Sequence, residues 1–161
     1  MTAPEKTNVM RMLEAAGISY TAHGYDATDG KTDGVSVAEK IGRLPEMVFK
    51  TLLTVAASGE ICVFVLPVAE ELDLKKAARA AEVKNIEMAP VKDILKISGY
   101  VKGGCSPVGM KRLYRTFIDE NAILLDTMVA SAGKIGAQIE LKPDDLLTLI
   151  QARYADLCKL E

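Results

Sequence analysis

The clearest pattern along the chain is a pair of apolar, β-branched runs, Thr51 to Ala57 and Ile61 to Leu66, parted by Ser58-Gly59. Two such runs around a short turn predict a β-hairpin. The stretch that enters it, MVFKTLLTV (Met47 to Val55), is apolar or β-branched except for Lys50. Upstream, Val9, Met10, Met12, Leu13 and Ala16 recur at helical spacing over residues 4–16, with Pro4 near the start and Gly17 past the end. Ile18 to Tyr25 leans toward strand, and Asp26 to Gly34 is a run of turn formers. Ser36 to Ile41 predicts a short helix with Ser36 as its cap and Glu39 completing a capping box.

Downstream, Leu72 to Val83 predicts a helix capped by Asp73, and Val91 to Ile97 a short helix stopped by Gly99. The glycines that follow break both regular periods, so YVKGGCSPVGMK (Tyr100 to Lys111) is expected to be a loop. Arg115 to Ile118, Ala122 to Ala130 and Ala137 to Leu141 predict strands. A last amphipathic helix is expected from Pro143 to about Leu157, with Leu146, Leu149, Ile150, Tyr154 and Leu157 facing inward. The alternation is irregular and shows no repeat. It predicts a single domain over 1–161 of mixed α/β, α+β type, without the βαβ rhythm of a nucleotide fold.

Composition narrows the function. Of 161 residues, 49% are apolar and 26% charged, a globular balance. The net charge of −2 argues against general nucleic-acid binding, so any RNA must be gripped locally or delivered by a partner. Cys62, Cys105 and Cys158 form neither a disulfide framework nor a zinc pattern and suit a reducing cytosol. Met1 to Asn8 has no signal-peptide core and no segment reaches the roughly 18 apolar residues of a membrane span. A cytoplasmic protein is expected, with no membrane, metal or cofactor.

Chemistry concentrates in three places. Lys50-Thr51 puts an ammonium in an apolar strand. Burial of that charge is costly unless it is paired, so Lys50 either snorkels from an edge or faces a pocket and something anionic. Gly103-Gly104-Cys105-Ser106-Pro107 and Ser131-Ala132-Gly133-Lys134-Ile135-Gly136 are glycine-rich. Their backbone N–H groups could line an anion or carbonyl site, or they could be plain turns. Neither has the spacing of a P-loop or a dinucleotide fingerprint. Cys105 could be a nucleophile only with His23, the one histidine, oriented by Asp126 or Asp119. Serine catalysis through Ser106 or Ser131 would need the same histidine, and no G-x-S-x-G elbow is present. The chain thus offers a cation, hydroxyls and glycine-lined backbone without an evident base. That suits a site that positions its substrate. Lys75, Lys76, Arg79, Lys84, Lys111, Arg112 and Arg115 could form a phosphate-binding patch or an ordinary solvated face.

Four motifs in this order, VFKTLL (48–53), LDLKKAA (72–78), GYVKGGCSPVGMK (99–111) and SAGKIGAQIEL (131–141), resemble the YbaK/EbsC family of aminoacyl-tRNA deacylases. That family is similar to the editing domain inserted in bacterial prolyl-tRNA synthetases. The resemblance runs from the first helix to ARYADL (152–157). It implies a central, mostly antiparallel, barrel-like sheet flanked by helices. It also implies a trans-acting editing protein that hydrolyses the ester of mischarged tRNA, in the YbaK branch Cys-tRNA(Pro). Lys50 would hold phosphate or ribose at the tRNA 3′ end with Thr51 beside it, and Tyr25 would wall the pocket. Gly103, Gly104, Ser131, Gly133 and Gln138 would border the substrate, with the glycine-loop N–H groups on the oxyanion. Ile135 stands where relatives often carry Arg, and Gln138 where some carry Asp, which bears on the choice of aminoacyl group. Sister branches act on alanyl esters. Prolyl-tRNA synthetase is an implied partner, and a binding module that has lost activity is the rival reading.

Overall fold

The computed structural model describes residues 4–160. Its centre is the predicted hairpin, β2 (Phe49–Ala56) and β3 (Ile61–Pro67), paired antiparallel with Thr51 opposite Val65. β3 is buried almost throughout, as its unbroken apolar run requires of a strand covered on both faces. β4 (Ile86–Met88) pairs antiparallel with the far end of β2, at Thr54 to Ala56. On the other side β5 (Arg115–Asp119) pairs parallel with β3, and β8 (Arg153–Ala155) parallel with β5. The order is therefore β4-β2-β3-β5-β8. A second sheet, β1 (Thr21–Gly24), β7 (Ala137–Leu141) and β6 (Met128–Ser131), is antiparallel throughout. A parallel bridge from Val48 to Val129 joins the sheets at one seam. Pairing is mostly antiparallel, as expected, but the sheets do not close into a barrel.

Between the sheets lies the main core, where α1 (Asn8–Ala15) sets Val9, Met10 and Leu13 against Phe49, Val65, Ile118 and Ile139. α5 (Pro143–Leu149) adds Leu146. The outer face of the five-stranded sheet packs on α3 (Leu74–Ala81), whose small Ala77, Ala78 and Ala81 let the helix approach Phe64, Leu66 and Phe117 closely. Phe64 and Phe117 stack there with centroids 5.4 Å apart. Asp73 caps α3, as predicted, accepting from the backbone N–H groups of Lys75 and Lys76. α4 (Ile94–Ser98) continues a 3-10 turn at Val91–Asp93 and ends at Gly99 in the left-handed region (φ 86°).

The chain departs from the sequence expectation in four places. α2 (Gly34–Ile41) starts earlier than expected and is capped by Asp33, which accepts from the Ser36 N–H at 3.1 Å and from its hydroxyl at 2.7 Å. Ser36 therefore sits inside the helix, because the carboxylate one turn earlier is the better acceptor. The strand expected from Ala122 is a 3-10 turn over Glu120–Leu124, and only Met128–Ser131 pairs. The last helix stops at Leu149, Gln151 turns the chain at φ 54°, and Tyr154, half-buried, and Leu157, buried, reach the core from β8 and the segment after it. β4 has too few residues to show a period.

Asp119 explains two of these departures. It is 1% exposed, caps the 3-10 turn through the Asn121 N–H at 3.1 Å, and accepts from the Leu157 N–H at 3.1 Å. Removing it strands a buried donor, a loss of about 2–3 kcal/mol. Asp119→Ala is expected to lower the unfolding free energy measured by urea titration by that amount, with Asp119→Asn retaining part of it. An unchanged unfolding free energy would show that this clamp does not hold the C-terminal segment.

Candidate active site

A cleft of about 680 Å³ opens where the two sheets diverge, along the edge of β2 that β4 leaves uncovered. Its floor is Val48 to Leu53. One wall comes from Met88, Ala89, Val91 and Ile94, and the opposite wall from Thr32, Asp33, Gly34 and Val37 at the start of α2. Tyr25, Ser131 and Gln138 enter from the three-stranded sheet, and Lys102, Gly103 and Cys105 from the glycine-rich loop. Of the expected site residues, Tyr25, Lys50, Thr51, Gly103, Ser131 and Gln138 thus share one cleft. Gly104 and Gly133 stand behind its wall. A Cβ on Gly104 would meet the Lys134–Ile135 backbone at 3.0–3.1 Å, and one on Gly133 would meet Tyr100 and Val9 at 3.0–3.1 Å.

Neighbouring residues of a strand face opposite sides of the sheet, so Lys50 and Thr51 cannot share a face. The cleft reaches both because it wraps the open edge. Lys50 is half-buried, and its ammonium donates to the carbonyls of Val68 and Glu70 in the turn after β3. Those carbonyls explain why a charge is tolerated there. Desolvation pulls its pKa down from the usual lysine value, with the acids Glu71 and Glu70 opposing. An ammonium carries three donors, so one remains after both carbonyls are served.

The polar groups at the other end are under-used. Ser131 and Gln138 are paired across β6 and β7, on the same sheet face as His23 opposite Gln138. The Tyr25 hydroxyl is buried and, among the described residues, has no hydrogen-bond partner. Gln138 is 6% exposed, lines the cleft, and makes no side-chain hydrogen bond among the described residues. Ser131 accepts from the Gly133 N–H at 3.2 Å, leaving its own proton to donate. A buried hydroxyl is rarely left as that of Tyr25 is.

The glycine loops do not supply the expected oxyanion donors at two of their positions. The Gly104 N–H donates to the Val101 carbonyl at 3.0 Å and the Gly133 N–H to Ser131. Tyr25, Gln138 and Ser131 are the free donors instead. A Cβ on Gly103 would lie 3.6 Å from the Ile135 side chain, so Ile135 stands as an apolar neighbour of the loop.

Thiol catalysis finds no support. Burial pushes the Cys105 thiol up to about 11, so it is protonated at neutral pH. His23 does not line the cleft; its Nε2 lies 2.7 Å from Glu140, which also accepts from Arg43 (2.9 Å) and Thr127 (2.6 Å). Asp119 is spent on its clamp, and Ser106 accepts from the Val108 N–H in the core. Cys105→Ala is expected to retain at least about half of any turnover the cleft supports. A folded but inactive Cys105→Ala would restore the thiol reading.

The basic patch is also altered. Lys76 pairs with Asp156 at 3.0 Å and Arg115 with Glu60 at 2.8 Å, so each already has a carboxylate partner. Lys102, which sequence reasoning did not single out, stands in the cleft itself. The wall at Met88 to Ile94 and the Gly34–Val68 contact were missed as well, since both join segments far apart in the chain.

A solved structure titled as a putative trans-editing enzyme for prolyl tRNA synthetase superposes with a TM-score of 0.85 at 24% identity, covering 99% of this chain and all of that one. A solved hypothetical protein superposes at 0.86 with 20% identity, over 95% of this chain and all of its own. These two show the fold. A protein of Enterococcus faecalis named "Putative Cys-tRNA(Pro)/Cys-tRNA(Cys) deacylase EbsC" is 40% identical over 157 residues, 98% of this chain and 96% of that one. The family description "Aminoacyl-tRNA editing domain" matches residues 30–149, which hold all the cleft residues but Tyr25. The chain belongs to the aminoacyl-tRNA editing domain family.

Proposed function

We propose that the protein is a trans-acting hydrolase that removes the amino acid from mischarged tRNA, with the cysteinyl ester of the proline tRNA as its substrate. The observation that carries this reading is the cleft's chemistry. It sets donors at Tyr25, Gln138 and Ser131 with a half-buried ammonium; the one carboxylate lining it, Asp33, is engaged by Ser36 as the cap of α2, and the Cys105 thiol is pushed up by burial. Such a site binds and orients an ester whose own groups react.

In this mechanism the third donor of Lys50 holds a ribose hydroxyl or phosphate of the tRNA end, with the Thr51 main chain alongside. The Tyr25 hydroxyl and the Gln138 amide face the ester carbonyl and stabilise the oxyanion, at roughly 3–4 kcal/mol for a well-placed donor. The cysteinyl thiol, ordinarily near pKa 8.5, attacks its own carbonyl carbon. The bond to the ribose oxygen then breaks, that oxygen takes the thiol proton, and the four-membered thiolactone released is hydrolysed by water. The 40% relative's name and the trans-editing neighbour's title support the substrate and, as a partner in delivery, prolyl-tRNA synthetase.

Blocking the thiol tests the chemistry. Cysteinyl-tRNA(Pro) and its S-methylcysteinyl counterpart are compared in single turnover. The mechanism predicts that S-methylation slows deacylation by about 100-fold or more, the scale of losing an intramolecular nucleophile. Equal rates would show that water attacks directly.

A further inference from the structure

We propose that the open edge of β2 reads the terminal purine of the substrate through the main chain of Thr51. This rests on the deacylase reading for its ligand, and it adds a base-recognition element to the cleft.

β4 covers β2 only at Thr54 to Ala56, and the Ala89 N–H closes one position more by donating to the Leu53 carbonyl at 3.0 Å. At the other end of the edge, Val48 bridges to Val129. Main-chain groups alternate in direction along a strand. Val48 and Ala56 bond toward the β3 side, through Val68 and Glu60, whereas Leu53 bonds outward to Ala89. The N–H and C=O of Thr51 therefore point outward, as those of Leu53 do, and they open into the cleft. No strand pairs with Thr51 on that side among the described residues. Thr51 thus offers a donor and an acceptor side by side, groups that a folded chain rarely leaves unpaired away from water.

The length of the gap selects the occupant. A peptide strand adding to this edge would have to continue past Leu53 and Val48, and Ala89 and Val129 stand in its way. The free edge spans only about three residues, roughly 10 Å. A planar heterocycle with an acceptor beside a donor fits it. The ester-bearing nucleoside of any tRNA is adenosine, whose N1 accepts and whose 6-amino group donates. Thr51 N–H would donate to N1, and the 6-amino group to the Thr51 carbonyl. Met88, Val91 and Ile94 stand on the neighbouring wall to cover the ring, with Met88 and Val91 about half exposed. Lys102 lies in the same cleft for the adjoining phosphate.

Two measurements test this. In the first, cysteinyl-tRNA(Pro) is prepared with adenosine, purine riboside, 1-deazaadenosine or 7-deazaadenosine at its 3′ end. Purine riboside lacks the 6-amino group, 1-deazaadenosine lacks the N1 acceptor, and 7-deazaadenosine keeps both. KM is expected to rise about 10-fold for each of the first two, with kcat nearly unchanged and 7-deazaadenosine within about twofold of adenosine. Equal KM values, or a loss confined to 7-deazaadenosine, would overturn the proposal. In the second, adenosine 5′-monophosphate is titrated into the ¹⁵N-labelled protein. The Thr51 amide is expected to shift, while those of Leu52 and Thr54, which face β3, stay. A Thr51 amide that does not move would overturn the proposal whether or not the ester is hydrolysed. Shifts without hydrolysis would leave the base site standing and refute the deacylase reading instead.

Discussion

Lys50→Ala is expected to reduce deacylation of the cysteinyl ester by about 10²–10³-fold while the protein remains folded. The side chain is not part of the tightly packed core. It lies along β2 and reaches the carbonyls of Val68 and Glu70, so its loss removes a half-buried charge and two hydrogen bonds together. Those changes oppose one another, because desolvation of the ammonium works against its hydrogen bonds. A change in stability within about 1 kcal/mol follows, and circular dichroism with a urea midpoint measures it. Lys50→Arg should not rescue activity. A planar fork cannot serve two carbonyls and a substrate oxygen as a rotating ammonium can. If Lys50→Ala turns over the ester at the normal rate, the lysine merely fastens the turn and the mechanism loses its anchor.

The second large effect is predicted at Gly34, the first residue of α2 and part of the cleft wall. A Cβ there would overlap the side chain of Val68, and Val68 carries one of the carbonyls that hold Lys50. Gly34→Ala must therefore push the helix start and the 67–70 turn apart. Overpacking of this kind costs about 1–3 kcal/mol, and activity is expected to fall further than that loss explains, because the Lys50 acceptor moves. Val68→Ala should restore most of both in the double variant. A coupling of about 1–2 kcal/mol in the mutant cycle checks the contact directly. Additive losses would place the effect of Gly34 elsewhere.

The hairpin was legible in the sequence because its two apolar runs and their turn are contiguous, and the Asp73 cap because its partners are two and three residues away. The end of the last helix was not. The chain turns at Gln151 in a left-handed conformation without the glycine that usually marks one, and the segment beyond follows a strand pairing made some 36 residues earlier in the chain. The same division holds at the site. Family motifs carry Lys50, Thr51, Ser131 and Gln138 to one cleft. They do not show that the Gly104 and Gly133 N–H groups are used inside their own loops, leaving Tyr25 and Gln138 as donors. Nor can local spacing show that β4 stops short of Thr51. That edge is defined by what fails to pair across the sheet.

The most direct test of the account is a deacylation assay of the purified protein on cysteinyl-, alanyl- and prolyl-tRNA(Pro) side by side. Rapid loss of the cysteinyl ester, with the prolyl ester spared, is the predicted result. Turnover of the alanyl ester in its place would contradict the thiol-driven mechanism, and stability of all three esters would contradict the assignment of this cleft to deacylation.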